Sequence, residues 1–261
     1  MKETRLKIIK AKLPYLSLSE RILIKSVLFC FKNSISVEDE DNLRLADDPV
    51  IYSFNHNNYL ETILVSFYLI FRRNGKKISF VIDWMYGRFP ILRWLFNKIE
   101  PVYVYNKPAK IAVINRHKQN SPNKVYQECV ARLKNQQSIG IFPEGARNGN
   151  PFQLKRGRKG VGAMVLDSGA AVVPIGINYP QPPERGWLSP WGTMVLRIGA
   201  PLHFDAEVAV ARKIAGDPTL SPGKKKRRSM LLTARITHHL MEALARLSGK
   251  RYPYPAPEAL P

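Results

Sequence analysis

Val50-Ile51-Tyr52-Ser53-Phe54-Asn55-His56-Asn57-Asn58-Tyr59-Leu60-Glu61 is the stretch on which the reading of this chain turns. Its first five residues are β-branched and aromatic enough to form a buried strand. The apolar run from Ile63 to Phe71 that follows has the length and composition of a helix. A histidine therefore stands where a strand ends, and an acid stands five positions later in the first turn of a helix. Ligands of α/β sheets bind beyond the carboxyl ends of the strands.

Two readings of this turn stand side by side. In one, Glu61 bends back to His56, fixes its tautomer and supports its imidazolium, so that His56 works as a base on a hydroxyl of the substrate. In the other, Asn58 caps the helix and Glu61, at the third helical position, completes a capping box. Both use the same residues, and local sequence does not separate them.

A second apolar strand running into a polar turn is Ser138-Ile139-Gly140-Ile141-Phe142-Pro143-Glu144-Gly145-Ala146-Arg147-Asn148. Together the two segments resemble the glycerolipid and lysophospholipid acyltransferase superfamily. Its N-H-x4-D block appears here as Asn55-His56-x4-Glu61, and its F-P-E-G-T-R-S block as Phe142 to Asn148, about eighty residues later. Leu154-Lys155-Arg156-Gly157 resembles the F-K-x-G that opens the next helix of the family, and Val172-Val173-Pro174-Ile175 resembles its V-P-I strand. The likeness runs from about residue 20 to about residue 205.

The resemblance implies an α/β fold: a single domain with a mixed, largely parallel central sheet flanked by helices. It implies transfer of a fatty acyl group from a thioester, acyl-CoA or acyl carrier protein, to the hydroxyl of a lysophospholipid such as 1-acylglycerol-3-phosphate. A thioester is reactive enough that no enzyme nucleophile, metal or cofactor is needed. His56 and Glu61 become the candidate catalytic pair. Asn55, Phe142, Pro143, Glu144, Gly145, Arg147 and Lys155 become candidate substrate-binding residues, with Arg147 on the acceptor phosphate, because a guanidinium fork matches phosphate oxygens. A further family arginine at the end of a strand has no direct counterpart, and Lys107 and Arg116 are the alternatives for it. Other departures are Glu for Asp at position 61, Ala for Thr at 146, Asn for Ser at 148, and Trp84, Met85 and Arg93 around Pro90 in place of a Lys-Glu pair and a glycine.

The remaining chain reads outward from these blocks. Residues 1–33 form a basic amphipathic helical segment, either interfacial or packed on the domain with a solvated edge. Residues 34–205 are the α/β core, with an acidic loop at 34–48, strands near 78–82, 99–105, 171–177 and 193–198, and a helix near 125–133. Gly75 suits a left-handed turn position and Gly169 a helix cap. The proline-rich loop from Gln181 to Trp191 carries Trp187 and Trp191, which suit either a membrane interface or a packed edge. Residues 206–250 are a helical extension around a basic linker, Lys224-Lys225-Lys226-Arg227-Arg228, and residues 251–261 are a Pro-rich tail, disordered or extended.

Composition sets the class of partner. Among 261 residues, 41 Lys and Arg against 20 Asp and Glu leave a net charge of +21, which calls for an anionic partner. That partner is an anionic membrane surface if the protein acts on lipids, and nucleic acid otherwise. No helix-turn-helix, zinc-finger or RNA-binding signature accompanies the charge, so no specific nucleic acid is expected. Two cysteines far apart, Cys30 and Cys129, suggest neither a disulfide framework nor a zinc site. No apolar run reaches the ~18–20 residues of a transmembrane helix. The expected place is peripheral, on the cytoplasmic face of a membrane. A catalytically lapsed, lipid-binding member of the same fold is the other alternative.

Overall fold

A computed structural model describes residues 8–84, 93, 94, 97, 100–104, 122–180 and 192–258. Lys107, Arg116, Met85, Pro90, Trp187 and Trp191 lie outside the described residues. Seven strands, β1 (Ile35–Glu38), β2 (Val50–Phe54), β3 (Ser79–Asp83), β4 (Val102–Val104), β5 (Ile139–Ile141), β6 (Ala171–Asn178) and β7 (Met194–Ile198), form one sheet in the order β1-β7-β6-β2-β5-β3-β4. The five from β6 to β4 run parallel; β7 is antiparallel to β6, and β1 parallel to β7. The described helices of a turn or more beyond 3₁₀ geometry are α1 (Leu18–Cys30), α2 (Leu60–Arg72), α3 (Pro122–Lys134), α4 (Gly160–Ser168), α5 (Asp205–Gly216) and α6 (Pro222–Ser248). This is the mixed, largely parallel α/β architecture expected from the sequence.

Strand β2 is central and buried at all five positions. Its side chains alternate between the faces, as the period of two requires. Val50, Tyr52 and Phe54 join Leu28, Phe67 and Ile70 of α1 and α2 on one face. Ile51 joins Leu133, Val165, Ile236 and Leu240 of α3, α4 and α6 on the other. Each such side chain contributes roughly 1.5–3 kcal/mol when fully buried, so both faces of β2 anchor the turn that follows it.

Two elements differ from expectation. The acidic stretch at 34–48 contains a strand, β1, and a 3₁₀ helix, Glu40–Arg44. Its four residues are too short to show a period, and the strand exists only because β7 pairs with it. The Lys224–Arg228 run is not a linker but part of the opening turns of α6, where Ser221 caps the helix and Pro222 stands at its start. Lys and Arg are good helix formers, so the run joins the long apolar-periodic helix behind it. The tail takes the extended one of its two expected forms at its start, where Arg251 forms a β-bridge with Gln153.

α6 approaches β6 closely because Gly176 has no side chain. A β-carbon there would stand 2.3 Å from the backbone carbon of Leu247. Gly249 then ends α6 in the left-handed conformation, and the amide of Lys250 donates back to the Ala245 carbonyl at 3.0 Å. The chain thereby turns toward the carboxyl ends of β2 and β6.

Candidate active site

β2 and β5 are neighbours, so the turns at their carboxyl ends lie side by side. Glu144, after β5, accepts from the His56 amide at 2.9 Å, and the Asn148 amide donates to the His56 carbonyl at 2.7 Å. The same buried carboxylate accepts from Asn148 Nδ2 and from the Lys155 amide, each at 2.8 Å. Glu144 is thus the clasp between the two blocks. Asn148 is part of that clasp, holding Glu144 and the Gln153 carbonyl, the latter at 2.7 Å.

His56 and Glu61 meet: Nδ1 lies 3.1 Å from Glu61 Oε2. A carboxylate only accepts, so Nδ1 carries the proton in this bond and Nε2 is left as an acceptor. Nε2 has no hydrogen-bond partner among the described residues, and the imidazole is 12% exposed. Its ring lies against Phe142, centroids 4.2 Å apart, and Phe142 continues an aromatic row through Phe54 to Phe80 in the core.

Glu61 is fully buried and satisfied. Oε2 also accepts from the amides of Asn57 at 2.7 Å and Asn58 at 3.1 Å. Oε1 accepts from Asn57 Nδ2 at 2.8 Å and from the Tyr179 hydroxyl at 3.1 Å. Asn58 Oδ1 in turn receives the Leu60 and Glu61 amides at 3.0 and 3.4 Å. The contacts expected from both readings therefore coexist: one carboxylate closes a capping box on Asn58 and holds the imidazole. Burial, with the negative charge of Glu61 acting in the same direction, pushes the Tyr179 hydroxyl far above its ordinary range, so it stays a donor to the carboxylate.

The other candidates differ in access. Asn55 is fully buried, its amide donating to the Ile177 carbonyl at 2.9 Å and accepting from the Ile177 amide at 2.6 Å. It extends the β2–β6 ladder by one side chain and leaves little of itself for a ligand. Pro143 offers its carbonyl to the Arg158 amide at 2.8 Å, and Phe142 accepts from Gly145 at 2.9 Å. Gly145 adopts φ +66°, and a β-carbon there would fall 2.1 Å from Arg158 Nε, so the turn needs glycine. Arg147 and Lys155 are exposed; Lys155 Nζ donates to the Arg147 carbonyl at 2.5 Å, while the Arg147 guanidinium bonds no described residue. Among the described residues, no three His, Cys, Asp or Glu side chains cluster as metal ligands. A cavity of about 440 Å³ opens at the opposite ends of the strands, between Tyr52, Asp48 and Arg73, and touches neither block.

Residues 34–178 match the Acyltransferase family. The chain belongs to that family. This acyltransferase is 28% identical over 173 residues to "1-acyl-sn-glycerol-3-phosphate acyltransferase LPAT1, chloroplastic" of Arabidopsis thaliana. That alignment covers 65% of this chain and 44% of the relative, so the chain spans less than half the relative's length. Among solved structures it is similar to PlsC, the 1-acyl-sn-glycerophosphate (LPA) acyltransferase of Thermotoga maritima. The identity is 17% and the TM-score 0.49, over 87% of this chain and 82% of that one.

Three residues of this acyltransferase's candidate site escaped the sequence reading: Asn57, Tyr179 and Lys250. Asn57 stood inside the quoted block, and Tyr179 directly after the V-P-I strand. Lys250 had no local signal at all. It lies beyond the family match, yet its ammonium donates to Asn57 Oδ1 at 2.5 Å and to the Asn150 carbonyl at 2.9 Å.

Proposed function

We propose that this protein transfers an acyl group from a thioester, acyl-CoA or acyl carrier protein, to the hydroxyl of a lysophospholipid such as 1-acylglycerol-3-phosphate, with His56 as general base. The observation that carries this is the 3.1 Å contact of His56 Nδ1 with buried Glu61, with Nε2 unpartnered among the described residues at the mouth of the sheet. Nε2 takes the proton of the acceptor hydroxyl as its oxygen attacks the thioester carbonyl carbon. The tetrahedral oxyanion then collapses, the C–S bond breaks, and the imidazolium returns the proton to the leaving thiolate. Glu61 stabilises the imidazolium between these steps. No cofactor enters the scheme, since the thioester is a substrate.

Arg147 suits the acceptor phosphate because its guanidinium is exposed beside the Glu144 clasp and unengaged by any described residue. The place of action is a membrane surface, on the cytoplasmic face, held peripherally. On α1, Leu18 is 72% and Ile22 58% exposed, with Phe29 on the same side and Lys25 and Lys32 between and beyond them. Apolar side chains rimmed by lysines at that spacing suit an anionic interface. No described helix is long and apolar enough to cross a membrane.

The test is release of free thiol from acyl-CoA in the presence of a panel of lysophospholipids. The wild type is expected to turn over at least one acceptor, and His56→Ala to fall ~10²–10⁴-fold with its fold intact. A fully active His56→Ala enzyme removes the proposal.

A further inference from the structure

We infer that Lys250 is a positioning residue of this site, clamping its two polar turns together and, through Asn57 and Glu61, fixing the orientation of His56. The inference rests on the acyl-transfer reading above for its functional meaning, but its physical content is separate. Lys250 is 9% exposed and comes from the end of α6, distant in sequence from both blocks. One ammonium bond reaches Asn57 of the first turn and the other the Asn150 carbonyl of the second. Asn57 passes the constraint on. With Oδ1 held by the ammonium, Nδ2 must face Glu61 Oε1, 2.8 Å away, and Glu61 in turn holds His56.

The rest of the strap keeps Lys250 in place. Leu154 and Arg251 exchange a backbone bond at 2.9 Å, Arg251 and Phe152 another at 2.8 Å, and the Tyr252 hydroxyl accepts from the Gly157 amide at 3.3 Å. The strap thus pins the segment that supplies Lys155. The charges around His56 are Glu61 from α2, Glu144 after β5, Lys250 after α6, and the exposed Arg147, Lys155 and Arg158 about the second turn; Tyr179 after β6 is a neutral donor. Burial lowers the Lys250 pKa, while Glu144 and Glu61 oppose that shift and favour the ammonium.

Removing the clamp frees Asn57 to turn, and with it the donor that holds Glu61 against His56. The experiment uses the full chain with Lys250→Met, Lys250→Gln and Lys250→Arg. Gln keeps a polar side chain but is one bond too short to hold both Asn57 and Asn150, and carries the test should the Met variant not fold. The readouts are the His56 imidazole N–H resonance by NMR, kcat and KM for thiol release, and thermal melts. Met and Gln are expected to displace that resonance and to lower kcat by ~10–100-fold, the scale seen when a partner that orients a functional histidine is lost. Arg should restore both. An unmoved resonance in a folded Gln or Met variant overturns the inference, even if melting temperature and rate both fall. A wild type inactive toward every acceptor sinks the acyl-transfer reading instead, and a displaced resonance in the Met or Gln variant of that protein still upholds the clamp.

Discussion

Replacing Glu61 by Gln separates its two roles, because the amide can keep one and not the other. The carboxylate receives three donors at Oε2 and two at Oε1 within 3.1 Å. A glutamine oxygen placed at the Oε2 position still accepts from the amides of Asn57 and Asn58, so the capping box survives. Its NH2 group then faces Asn57 Nδ2, a donor, at the 2.8 Å now occupied by a hydrogen bond. Flipping Asn57 relieves that clash only by turning its NH2 toward the Lys250 ammonium, which also only donates. One buried donor is left unmatched in either arrangement, at a cost of about 1–3 kcal/mol. A protein of this size loses roughly 2–4 °C of Tm per kcal/mol, so the melt should fall by roughly 2–12 °C. The rate should fall further, by ~10²–10⁴-fold, or ~3–5 kcal/mol of barrier, because a neutral amide does not stabilise the imidazolium. The assay is steady-state thiol release at saturating acyl-CoA beside thermal melts by circular dichroism. Turnover within about threefold of wild type would reduce Glu61 to a helix cap, on the scale of a rate expected to fall a hundredfold or more. An unchanged Tm would refute the donor conflict.

Other outcomes follow from the same structure. Arg147→Ala should raise the acceptor KM by roughly 10–100-fold, the worth of one charge-assisted phosphate bond, with Tm unchanged because the side chain is exposed; an unchanged KM places the phosphate elsewhere. Burial disfavours the Asp48 carboxylate, but Arg73, Ser138 and Lys76 outweigh it and hold its pKa below the ordinary range. Its stabilising contribution is therefore complete above the unfolded pKa and lost as pH falls through the folded one. Asp48→Asn should cost on the order of 2–3 kcal/mol at pH 7, since it strands a mostly buried Arg73, and the loss should shrink as the pH falls below the ordinary carboxylate range; urea melts with the same loss at every acid pH would contradict this. Ile22→Glu on the outer face of α1 should weaken binding to anionic vesicles without changing thiol release from soluble short-chain substrates. Raising salt from 0.1 to 1 M, which shortens the Debye length from ~10 to ~3 Å, should release the wild type. Equal binding to neutral vesicles would leave the lysines without a role.

The periodic elements and the two polar turns at strand ends were legible in the sequence because each depends on neighbours a few residues away. β-branched runs make strands wherever they are buried, and Gly169 and Gly75 mark ends by their own backbone freedom. The same locality left the role of Glu61 open, since a cap and a histidine partner need the same residue at the same spacing. Tertiary structure showed that one carboxylate makes both sets of contacts, by supplying Tyr179 as a further donor and fixing the Asn57 side chain through Lys250. It also recast Glu144 as the clasp between blocks 88 residues apart and Asn55 as an extra rung to β6. It turned a basic linker into a helix, and brought Lys250 to Asn57 across 193 residues. None of these contacts has a local signature: a lysine after a helix-capping glycine looks like any solvated terminus. Only the close packing of α6 on Gly176 decides that its ammonium is held by Asn57 and the Asn150 carbonyl rather than by water.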